Sequence, residues 1–344
     1  MTFSSFRRSA IRLSRVNISY LDNLRALDNA EGLEAVSSYR MHLEKHGWVH
    51  LPGFISPEVV AEMAKECINL EQLGEAFLSV ESHTPYQEEY DPNFPDDHPR
   101  NALQESSKLI LDFDKLPSAS PLRELYSRDD LRRFIKEIVK SYLHPTTNIS
   151  PDDDSTNNSA ELYFSACPYN AAYYNIYREG HGLGWHFDRS AFGVNLVLKT
   201  AAQTPGGGGG IFEWSEHTRC MSPRRDNTSV KTGELDPWAF DKVAAIIQHG
   251  DEKKELPSGM SSLHSPPPIT KVDNLGPGSL VIFAGIESLH RVTPVTETVL
   301  QEKLKSATTE RVERINAILT YESEPGKRMN KYGLKKFFGR SVDA

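Results

Sequence analysis

The chain has 344 residues, 38% of them hydrophobic and 25% charged, which is the composition of a globular protein large enough for a substantial core. Its net charge of −8 and isoelectric point near 5.9 exclude a bulk positive field, so neither nucleic acid nor a membrane is expected as a partner. No apolar run is as long as a membrane-spanning helix.

Residues 1–28 are predicted to form a basic, flexible N-terminal segment. The first 21 residues contain no acidic residue and carry four arginines among serines. A flexible tail is the favoured interpretation, and a mitochondrial transit peptide of similar composition is the alternative. Three widely spaced cysteines fit neither a disulfide framework nor a zinc site. A reducing, cytoplasmic location is therefore expected, with the mitochondrion as the alternative.

The next segment, residues 29–159, is expected to be mainly helical support for the rest of the domain. Apolar residues recur at helical spacing from Asn29 to Lys45, and Trp48 to Phe54 is typical of a short strand and turn. A second helix is predicted to begin at Ser56-Pro57, an N-cap followed by a proline that suits the first turn. A third is predicted from Arg128 to Leu143.

Residues 160–326 complete this domain (29–326) and have the pattern of a β-rich core. Eight short segments of strand composition are separated by turn signals: Glu161–Ala166, Tyr173–Arg178, Gly184–Asp188, Val194–Lys199, Gly210–Trp214, Ser279–Phe283, Leu289–Thr293 and Arg314–Tyr321. This pattern predicts a jelly roll, that is, a cupin-like double-stranded β-helix. The predicted fold class is therefore an all-β core with flanking helices (α+β).

Three further segments interrupt or follow this core. Residues 215–274 are predicted to form a polar insertion with one helix at Pro237–Gln248, and Gly206–Gly210 is predicted to be a flexible turn. Residues 327–344 are predicted to form a basic tail that contains two adjacent phenylalanines. A docked amphipathic tail is the favoured interpretation, and a lid over a site is the alternative.

Two histidines and an aspartate are candidate metal ligands. One residue separates His186 from Asp188, and His290 follows 104 positions after the first histidine (290 − 186). Alternate residues of a strand face the same side, so His186 and Asp188 can reach one ion while Phe187 packs behind them. Two histidines and a carboxylate form the facial triad that holds non-haem Fe(II). A second His-x-Asp pair, His249-Gly250-Asp251, lies in a charged run and is interpreted as solvent-exposed.

The last predicted strand contains a candidate anchor for an anionic co-substrate. Strand alternation places Arg314 and Asn316 on one face and Ile315 on the other. An arginine in an otherwise apolar strand is costly unless it meets a carboxylate. A dicarboxylate co-substrate would supply that partner, and an internal salt bridge is the alternative. Arg311 has the opposite parity and is expected at the rim.

Together these residues resemble the Fe(II)/2-oxoglutarate-dependent oxygenases. The resemblance depends on His186-Phe187-Asp188, on the distal His290, and on Arg314-Ile315-Asn316, which departs from the Arg-x-Ser of many members. It implies that the two histidines and the aspartate form the catalytic Fe(II) site, with 2-oxoglutarate and O2 as co-substrates. It further implies that Arg314 binds the distal carboxylate of 2-oxoglutarate, with Asn316 and Tyr177 as additional contacts.

Other motifs resemble one branch of these enzymes, the free-amino-acid halogenases and hydroxylases. His98-Pro99-Arg100 and Ser288-Leu289-His290 are similar to motifs of that branch, although the opening Gly47–Phe54 also occurs in phytanoyl-CoA-dioxygenase-like proteins. Halogenases carry a small residue in place of the triad aspartate. Because this chain keeps Asp188, we expect hydroxylation, desaturation or cyclisation of a small substrate, such as a free amino acid of secondary metabolism, and not halogenation.

The same resemblance suggests substrate-binding residues. Arg100, with His98 beside it, is the first candidate for binding a substrate carboxylate, and a salt bridge within its acidic loop is the alternative. Arg189 directly follows the triad aspartate and is expected near the mouth of the site, where a cation disfavours a substrate with a terminal amine.

Two alternative functions stay open. The first is a phytanoyl-CoA-like or peptidyl hydroxylase, which a large open groove would favour. The second is a jelly-roll binding protein without catalysis, which would need no co-substrate anchor. A small molecule is the expected partner, and the sequence predicts no particular oligomeric state.

Overall fold

The computed structural model describes most of the chain. Predictions for residues 1–28 and for Asp251 of the second His-x-Asp pair fall almost wholly outside the described residues. Within them, no helix combines the length and apolarity that crossing a membrane requires. The described residues are 20, 27, 29–143, 161–221, 224–225, 231–232, 236–249, 268–272, 275–298 and 311–340.

The larger of two antiparallel sheets has seven strands. In spatial order they are β1 (Trp48–Leu51), β13 (Leu280–Phe283), β7 (Gly193–Lys199), β16 (Arg314–Leu319), β5 (Ala172–Tyr177), β3 (Gln104–Leu111) and β2 (Phe77–His83). Strand β16 pairs with β5 from Arg314 opposite Tyr177 to Leu319 opposite Ala172. This pairing places the last long strand of the described chain at the centre of the sheet.

The smaller sheet has four strands and faces the larger one. In spatial order they are β12 (Ile269–Val272), β9 (Phe212–Ser215), β14 (Leu289–Val292) and β6 (Leu183–His186). The rings of Phe212 and Phe283 lie 5.2 Å apart, and those of Trp48 and Trp214 lie 4.4 Å apart. These aromatic contacts join the two sheets into a sandwich.

Three short ladders and a set of helices complete the fold. The ladders are β4 (Tyr163–Phe164) with β17 (Tyr321–Glu322), β8 (Gly207–Gly209) with β15 (Val295–Glu297), and β10 (Arg224–Arg225) with β11 (Lys231–Thr232). The helices are α1 (Ala30–His46), α2 (Pro57–Gln72), α3 (Pro121–Tyr126), α4 (Asp129–Val139), α5 (Phe240–His249) and α6 (Lys331–Phe338). The predicted helices at residues 29–45, 128–143 and 237–248 correspond to α1, α4 and α5.

Helices α1 to α4 cover the outer face of the larger sheet. Side chains of α4 such as Phe134 and Ile138 belong to the same buried cluster as Leu196 of β7 and Ile315 and Ala317 of β16. Full burial of each large apolar side chain contributes about 1.5–3 kcal/mol. This packing leaves the opposite face of β16 free to line the interior of the sandwich.

The region expected to be mainly helical also contributes three strands to the larger sheet. Strands β2 and β3 were not predicted because β2 has an inverted pattern: Leu78 and Val80 are 50% and 62% exposed, whereas Ser79 and His83 are 3% and 6% exposed. A strand that turns polar residues inward violates the usual alternation of buried apolar and exposed polar positions. The inward face of β2 borders a cavity, to which it contributes Ser79, Glu81 and His83, and not the apolar core.

One further segment differs from its prediction. The glycine run was predicted to be a flexible turn, but Gly207–Gly209 is a strand paired with β15. A Cβ atom at Gly209, whose φ is 65°, would lie 1.9 Å from the carbonyl oxygen of Pro294, so the pairing requires glycine. In the predicted basic tail, α6 docks as the favoured interpretation expects, because Phe338 is buried and packs 5.1 Å from the ring of Tyr173.

Candidate metal centre and the cavity beside it

The predicted metal ligands converge at the ends of two strands of the smaller sheet. His186 in β6 pairs directly with His290 in β14, and Asp188 follows β6 by two residues. The carboxylate Oδ1 lies 3.7 Å from Nε2 of His186 and 3.5 Å from Nε2 of His290. One ligand atom from each residue lies within 4.8 Å of the others. Two imidazole nitrogens and one carboxylate oxygen are the donor set that suits Fe(II).

Hydrogen bonds hold both imidazoles with Nε2 directed at the shared site. Nδ1 of His186 donates to the carbonyl of Gly184 over 2.7 Å, and Nδ1 of His290 donates to the carbonyl of Ser288 over 2.9 Å. Because Nδ1 carries the proton in each neutral ring, the lone pair lies on Nε2. Such backbone acceptors fix the ring orientation of metal-binding histidines.

A hydrogen-bonded chain supports the backbone beside His186. Nδ1 of His83 donates to the carbonyl of Thr84 over 3.0 Å, so its Nε2 accepts from the Ser106 hydroxyl at 2.6 Å. The Ser106 oxygen in turn accepts from the backbone N–H of Gly184 over 3.0 Å. These hydrogen bonds therefore connect β2 and β3 to Gly184, the residue whose carbonyl orients His186. This support was not predicted, because His83 and Ser106 lie in the two unpredicted strands.

A close backbone approach positions the carboxylate. The N–H of Asp188 donates to the carbonyl of Gly285 over 2.9 Å. A Cβ atom at Gly285 would lie 2.1 Å from Oδ2 of Asp188, so any larger residue there must displace the carboxylate. Phe187, between the two ligands, is fully buried in a cluster with Trp185 and Leu289, which confirms that it packs behind the site.

Electrostatics favour the protonation states that a cation requires. Burial, together with the neighbouring His290, holds the pKa of His186 well below its usual value, so this ring is neutral. Burial acts to raise the pKa of Asp188, but the nearby His290 and His186 outweigh it and leave that pKa below its usual value. A neutral imidazole and an ionised carboxylate are the forms that bind metal.

The triad opens into a cavity of about 520 Å³ between the sheets. This volume lies within the range of roughly 300–1,000 Å³ that is typical of small-ligand pockets. Helix α6 and the residues before it close one side through Met329, Asn330, Gly333, Phe337 and Phe338. The remaining wall comes mainly from the inward faces of β2, β3, β5, β7 and β16.

Arg314 lies in the wall of this cavity and is 3% exposed. Its Nη1 donates to the carbonyl of Gly210 over 2.7 Å, whereas Nε and Nη2 are buried and have no hydrogen-bond partner. Among the described residues, no carboxylate pairs with it, so the alternative of an internal salt bridge is not supported. The side chain of Arg311, in contrast, is 62% exposed, and its Nη1 lies 4.0 Å from Oε2 of Glu71. This exposure agrees with the strand parity of Arg311, which is opposite to that of Arg314.

Polar side chains continue along the wall from Arg314. Tyr177 is its direct partner on β5 and is buried, which raises the pKa of its phenol. Asn316 donates from Nδ2 to Oδ1 of Asn195 over 2.9 Å, and Oδ1 of Asn316 has no partner. Asn175, opposite Asn316 on β5, also has a buried Oδ1 without a partner. Unsatisfied buried polar atoms cost free energy, and these atoms are available to a molecule that binds in the cavity.

The structure places the three predicted substrate residues differently from one another. Arg100 is buried in its loop, where Nη2 pairs with Glu88 at 2.9 Å and Nη1 donates to the carbonyl of Glu89 at 2.9 Å. His98 stacks on Phe94 with ring centroids 4.4 Å apart, and neither residue lines the cavity. Arg100 therefore forms the salt bridge within its acidic loop that was the alternative interpretation. Arg189 does line the cavity, at the position expected for it.

One cavity residue, Lys108, was not predicted from the sequence. Lys108 of β3 lines the cavity, and burial lowers its pKa to about 8 although the charge of Asp188 acts in the opposite direction. Strand alternation places Lys108 on the same face as Ser106 and Ile110. This alternation cannot indicate a cavity residue until β3 is known to pair with β5.

Comparisons with known proteins give structural neighbours only. No protein-family model matches the chain, and no curated protein matches it. It is similar to a prolyl-4-hydroxylase of Pseudomonas putida, with 13% identity, coverage of 82% of this chain and 96% of that chain, and a TM-score of 0.41. It is also similar to a Trichoplax adhaerens prolyl hydroxylase in complex with a hypoxia inducible factor peptide, with 12% identity, coverage of 90% and 95%, and a TM-score of 0.44.

A third neighbour is SnoK, a non-haem alpha-ketoglutarate-dependent carbocyclase from nogalamycin biosynthesis. Its identity is 11%, the match covers 83% of this chain and 82% of that chain, and the TM-score is 0.44. With TM-scores below 0.5, these likenesses support no assignment. The function of this chain has to be inferred from the side chains of its own site.

Proposed function

We propose that the chain is a non-haem Fe(II)- and 2-oxoglutarate-dependent oxygenase. One observation carries the proposal: a triad of two histidines and an aspartate opens into the same cavity as a buried arginine that has two N–H groups without partners. A metal site alone would suit many proteins. A buried guanidinium without a carboxylate is costly by itself, and a dicarboxylate co-substrate removes that cost.

Each residue of the site has a role under this proposal. When bound, Fe(II) with 2-oxoglutarate supplies the oxidising chemistry that uses O2. His186, His290 and Asp188 would hold the iron, and the hydrogen bonds from Nδ1 keep both imidazoles oriented with Nε2 directed at the ion. Arg314 binds and orients the distal carboxylate of 2-oxoglutarate, since the guanidinium fork matches a carboxylate. Tyr177 beside it offers a hydroxyl to the same group.

The proposed reaction is oxidation and not halogenation. The carboxylate of Asp188 lies within 3.7 Å of both imidazole nitrogens, so it takes the position that halogenases of the resembling branch leave open. Hydroxylation, desaturation and cyclisation share the same hydrogen-abstraction step, and the substrate pose selects among them. His98 and Arg100 lie outside the cavity, so we do not propose them as substrate contacts.

The proposed substrate is a small molecule of the size of a free amino acid. The cavity of about 520 Å³ is closed on one side by α6, and this enclosure favours a small molecule over the peptide that a large open groove would accept. Walls of this kind bury most of a small ligand and exclude water. A free amino acid or a related small acid of secondary metabolism fits these dimensions.

We also infer that the sandwich is a double-stranded β-helix. Support comes from the order of its strands along the chain. Strands β5, β7, β13 and β16 of the larger sheet alternate with β6, β9 and β14 of the smaller sheet, which faces it. Residues of both sheets point inward, with Arg314 on one sheet and the metal ligands on the other. A fold of this kind brings sequence-distant ligands to one end of the sandwich.

Turnover in oxygen-18 gas tests the proposal. Purified protein with Fe(II), 2-oxoglutarate and ascorbate, which supplies two electrons to reduce the second oxygen atom to water when no substrate is present, is expected to release CO2 and succinate that contains one oxygen-18 atom. Asp188→Ala is expected to release none above the metal-only background. Glu322→Ala, which also changes a carboxylate that lines the cavity, serves as a matched control and should retain turnover. Absence of labelled succinate from the wild-type protein would refute the proposed function.

A further inference from the structure

The cavity contains a second cation, Lys108, which is not used by the metal centre or the co-substrate anchor. Lys108 lies in β3 opposite Ser79 of β2, and its side chain is half-buried in the cavity wall. Within the described part of the chain it forms no ion pair and no hydrogen bond. A lysine ammonium that is withdrawn from water without a partner is unfavourable.

Among the described residues, none of the acidic side chains that line the cavity forms an ion pair with Lys108, although the charge of Asp188 acts on it. Glu81 pairs with Lys336 at 3.2 Å, and Glu322 pairs with Lys327 at 3.4 Å. Asp188 is the carboxylate of the triad. The cavity therefore carries an excess of positive charge that the described carboxylates do not balance.

Arg189 adds to this excess at the same end of the cavity. Its Nη1 donates to the carbonyl of Gln87 over 3.1 Å, and its guanidinium lies 5.4 Å from the ring centroid of Tyr332 in α6. Among the residues that the structure describes, it has no carboxylate partner. Lys108 and Arg189 thus present two positive charges to a ligand that lies between the metal site and α6.

We propose that Lys108 binds a carboxylate of the substrate, so that the substrate is a small organic acid oxidised at a carbon near that carboxylate. The inference rests on the proposed function. Two cations of the cavity wall then match two anions: Arg314 binds the distal carboxylate of 2-oxoglutarate, and Lys108 binds the acid group of the substrate. Arg189 favours the same anion and disfavours a substrate that carries a second amine.

The positions of the two cations separate their ligands. In the larger sheet, β5 lies between β16, which carries Arg314, and β3, which carries Lys108. Strands two places apart are separated by roughly 10 Å, since neighbours lie about 4.8 Å apart. Arg314 is further bound to Gly210 beside β8, whereas Lys108 lies next to β2, onto which α6 packs. The two groups therefore face different parts of the cavity.

Equilibrium binding distinguishes a substrate carboxylate from a second carboxylate contact to 2-oxoglutarate. Protein loaded with Mn(II), which binds without turnover, is titrated first with 2-oxoglutarate. The saturated complex is then titrated with free L-amino acids and short-chain fatty acids, each beside its primary amide. The variants are Lys108→Met, Lys108→Arg and Lys65→Met, an exposed lysine of α2 that controls for the change in net charge.

At least one acid is expected to bind to the wild-type complex at least tenfold more tightly than its amide. Lys108→Met should lose that preference while 2-oxoglutarate affinity stays within twofold, Lys108→Arg should retain it, and Lys65→Met should match the wild type. Lys108→Met is expected to fold, because it removes an unpaired buried charge, and thermal unfolding checks this.

The failures of the inference and of the proposed function are distinguishable. A wild-type complex that binds no 2-oxoglutarate would refute the proposed function and, with it, this inference. If 2-oxoglutarate binds but its affinity falls tenfold or more in Lys108→Met, Lys108 is a co-substrate contact and the inference is wrong. If no acid binds more tightly than its amide, the inference is also wrong, while the proposed function stands.

Discussion

Replacing Arg314 by methionine should affect co-substrate binding and protein stability in different ways. The guanidinium has two N–H groups, Nε and Nη2, that are buried and without partners, and these are available to a carboxylate. Hydrogen bonds to charged groups contribute about 1.5–3 kcal/mol each, and truncation of one partner of a buried charged pair costs about 2–5 kcal/mol. A loss of about 3 kcal/mol corresponds to a roughly 100-fold weaker affinity for 2-oxoglutarate.

The stability of the protein without co-substrate should change little. Replacing a buried ion pair by apolar groups is often neutral or stabilising by about 1–4 kcal/mol, and removal of a buried guanidinium without an ionic partner is expected to be favourable by a similar amount. The carbonyl of Gly210, however, loses its donor at a cost of about 1–3 kcal/mol. These effects nearly cancel, so the free energy of unfolding of Arg314→Met is expected to lie within about 2 kcal/mol of the wild-type value.

Calorimetric titration of Mn(II)-loaded protein and urea unfolding of the metal-free protein measure the two quantities. Arg311→Met removes an exposed guanidinium of the neighbouring segment and is expected to leave both unchanged. The reasoning would be refuted if Arg314→Met bound 2-oxoglutarate within threefold of the wild type and unfolded several kcal/mol more easily. That result would make Arg314 a structural residue.

Three further changes test the support of the metal site and the buried lysine. Ser106→Ala removes the hydroxyl between His83 and Gly184 and is expected to weaken Mn(II) binding about 10-fold. Titration that follows the EPR signal of the free ion measures this affinity. Ser82→Ala, which changes an exposed serine, should leave it unchanged. Gly285→Ala is expected to weaken Mn(II) binding more strongly in the same assay, because its Cβ would lie 2.1 Å from Oδ2 of Asp188; wild-type affinity would show that the loop moves freely. Burial lowers the pKa of Lys108 to about 8, so above that pH the unfolded chain binds more protons than the folded chain. The wild type should therefore gain stability relative to Lys108→Met between about pH 8 and 10.5, and a constant difference in urea unfolding across that range would contradict the shift.

The metal ligands and Arg314 were predictable because each follows a local rule. Alternation along β16 assigned Arg314 and Asn316 to the inner face and Arg311 to the periphery, and the pairing of β16 with β5 agrees with this assignment. The histidines and Asp188 stand out because they are polar residues at the ends of apolar strands. Such positions are recognisable in sequence, since a strand has a period of two.

The part of the site formed by β2, β3 and α6 was not predictable. In β2 the cavity face is polar and the outer face apolar, so the pattern contradicts the rule that identifies strands. Lys108 depends on the pairing of β3 with β5, which joins residues more than 60 positions apart. For Arg100, a motif resemblance suggested a substrate contact, whereas in the structure Glu88 and the carbonyl of Glu89 hold the guanidinium.

An anaerobic titration of the Fe(II)-loaded wild-type protein with 2-oxoglutarate tests the central claim most directly. Chelation of the iron by the keto acid should produce a visible metal-to-ligand charge-transfer band that saturates at one equivalent of 2-oxoglutarate per site. The band should appear at much higher 2-oxoglutarate concentrations in Arg314→Met and should be unchanged in Arg311→Met. A wild-type protein that binds Fe(II) at His186, Asp188 and His290 yet gives no band would contradict the oxygenase function.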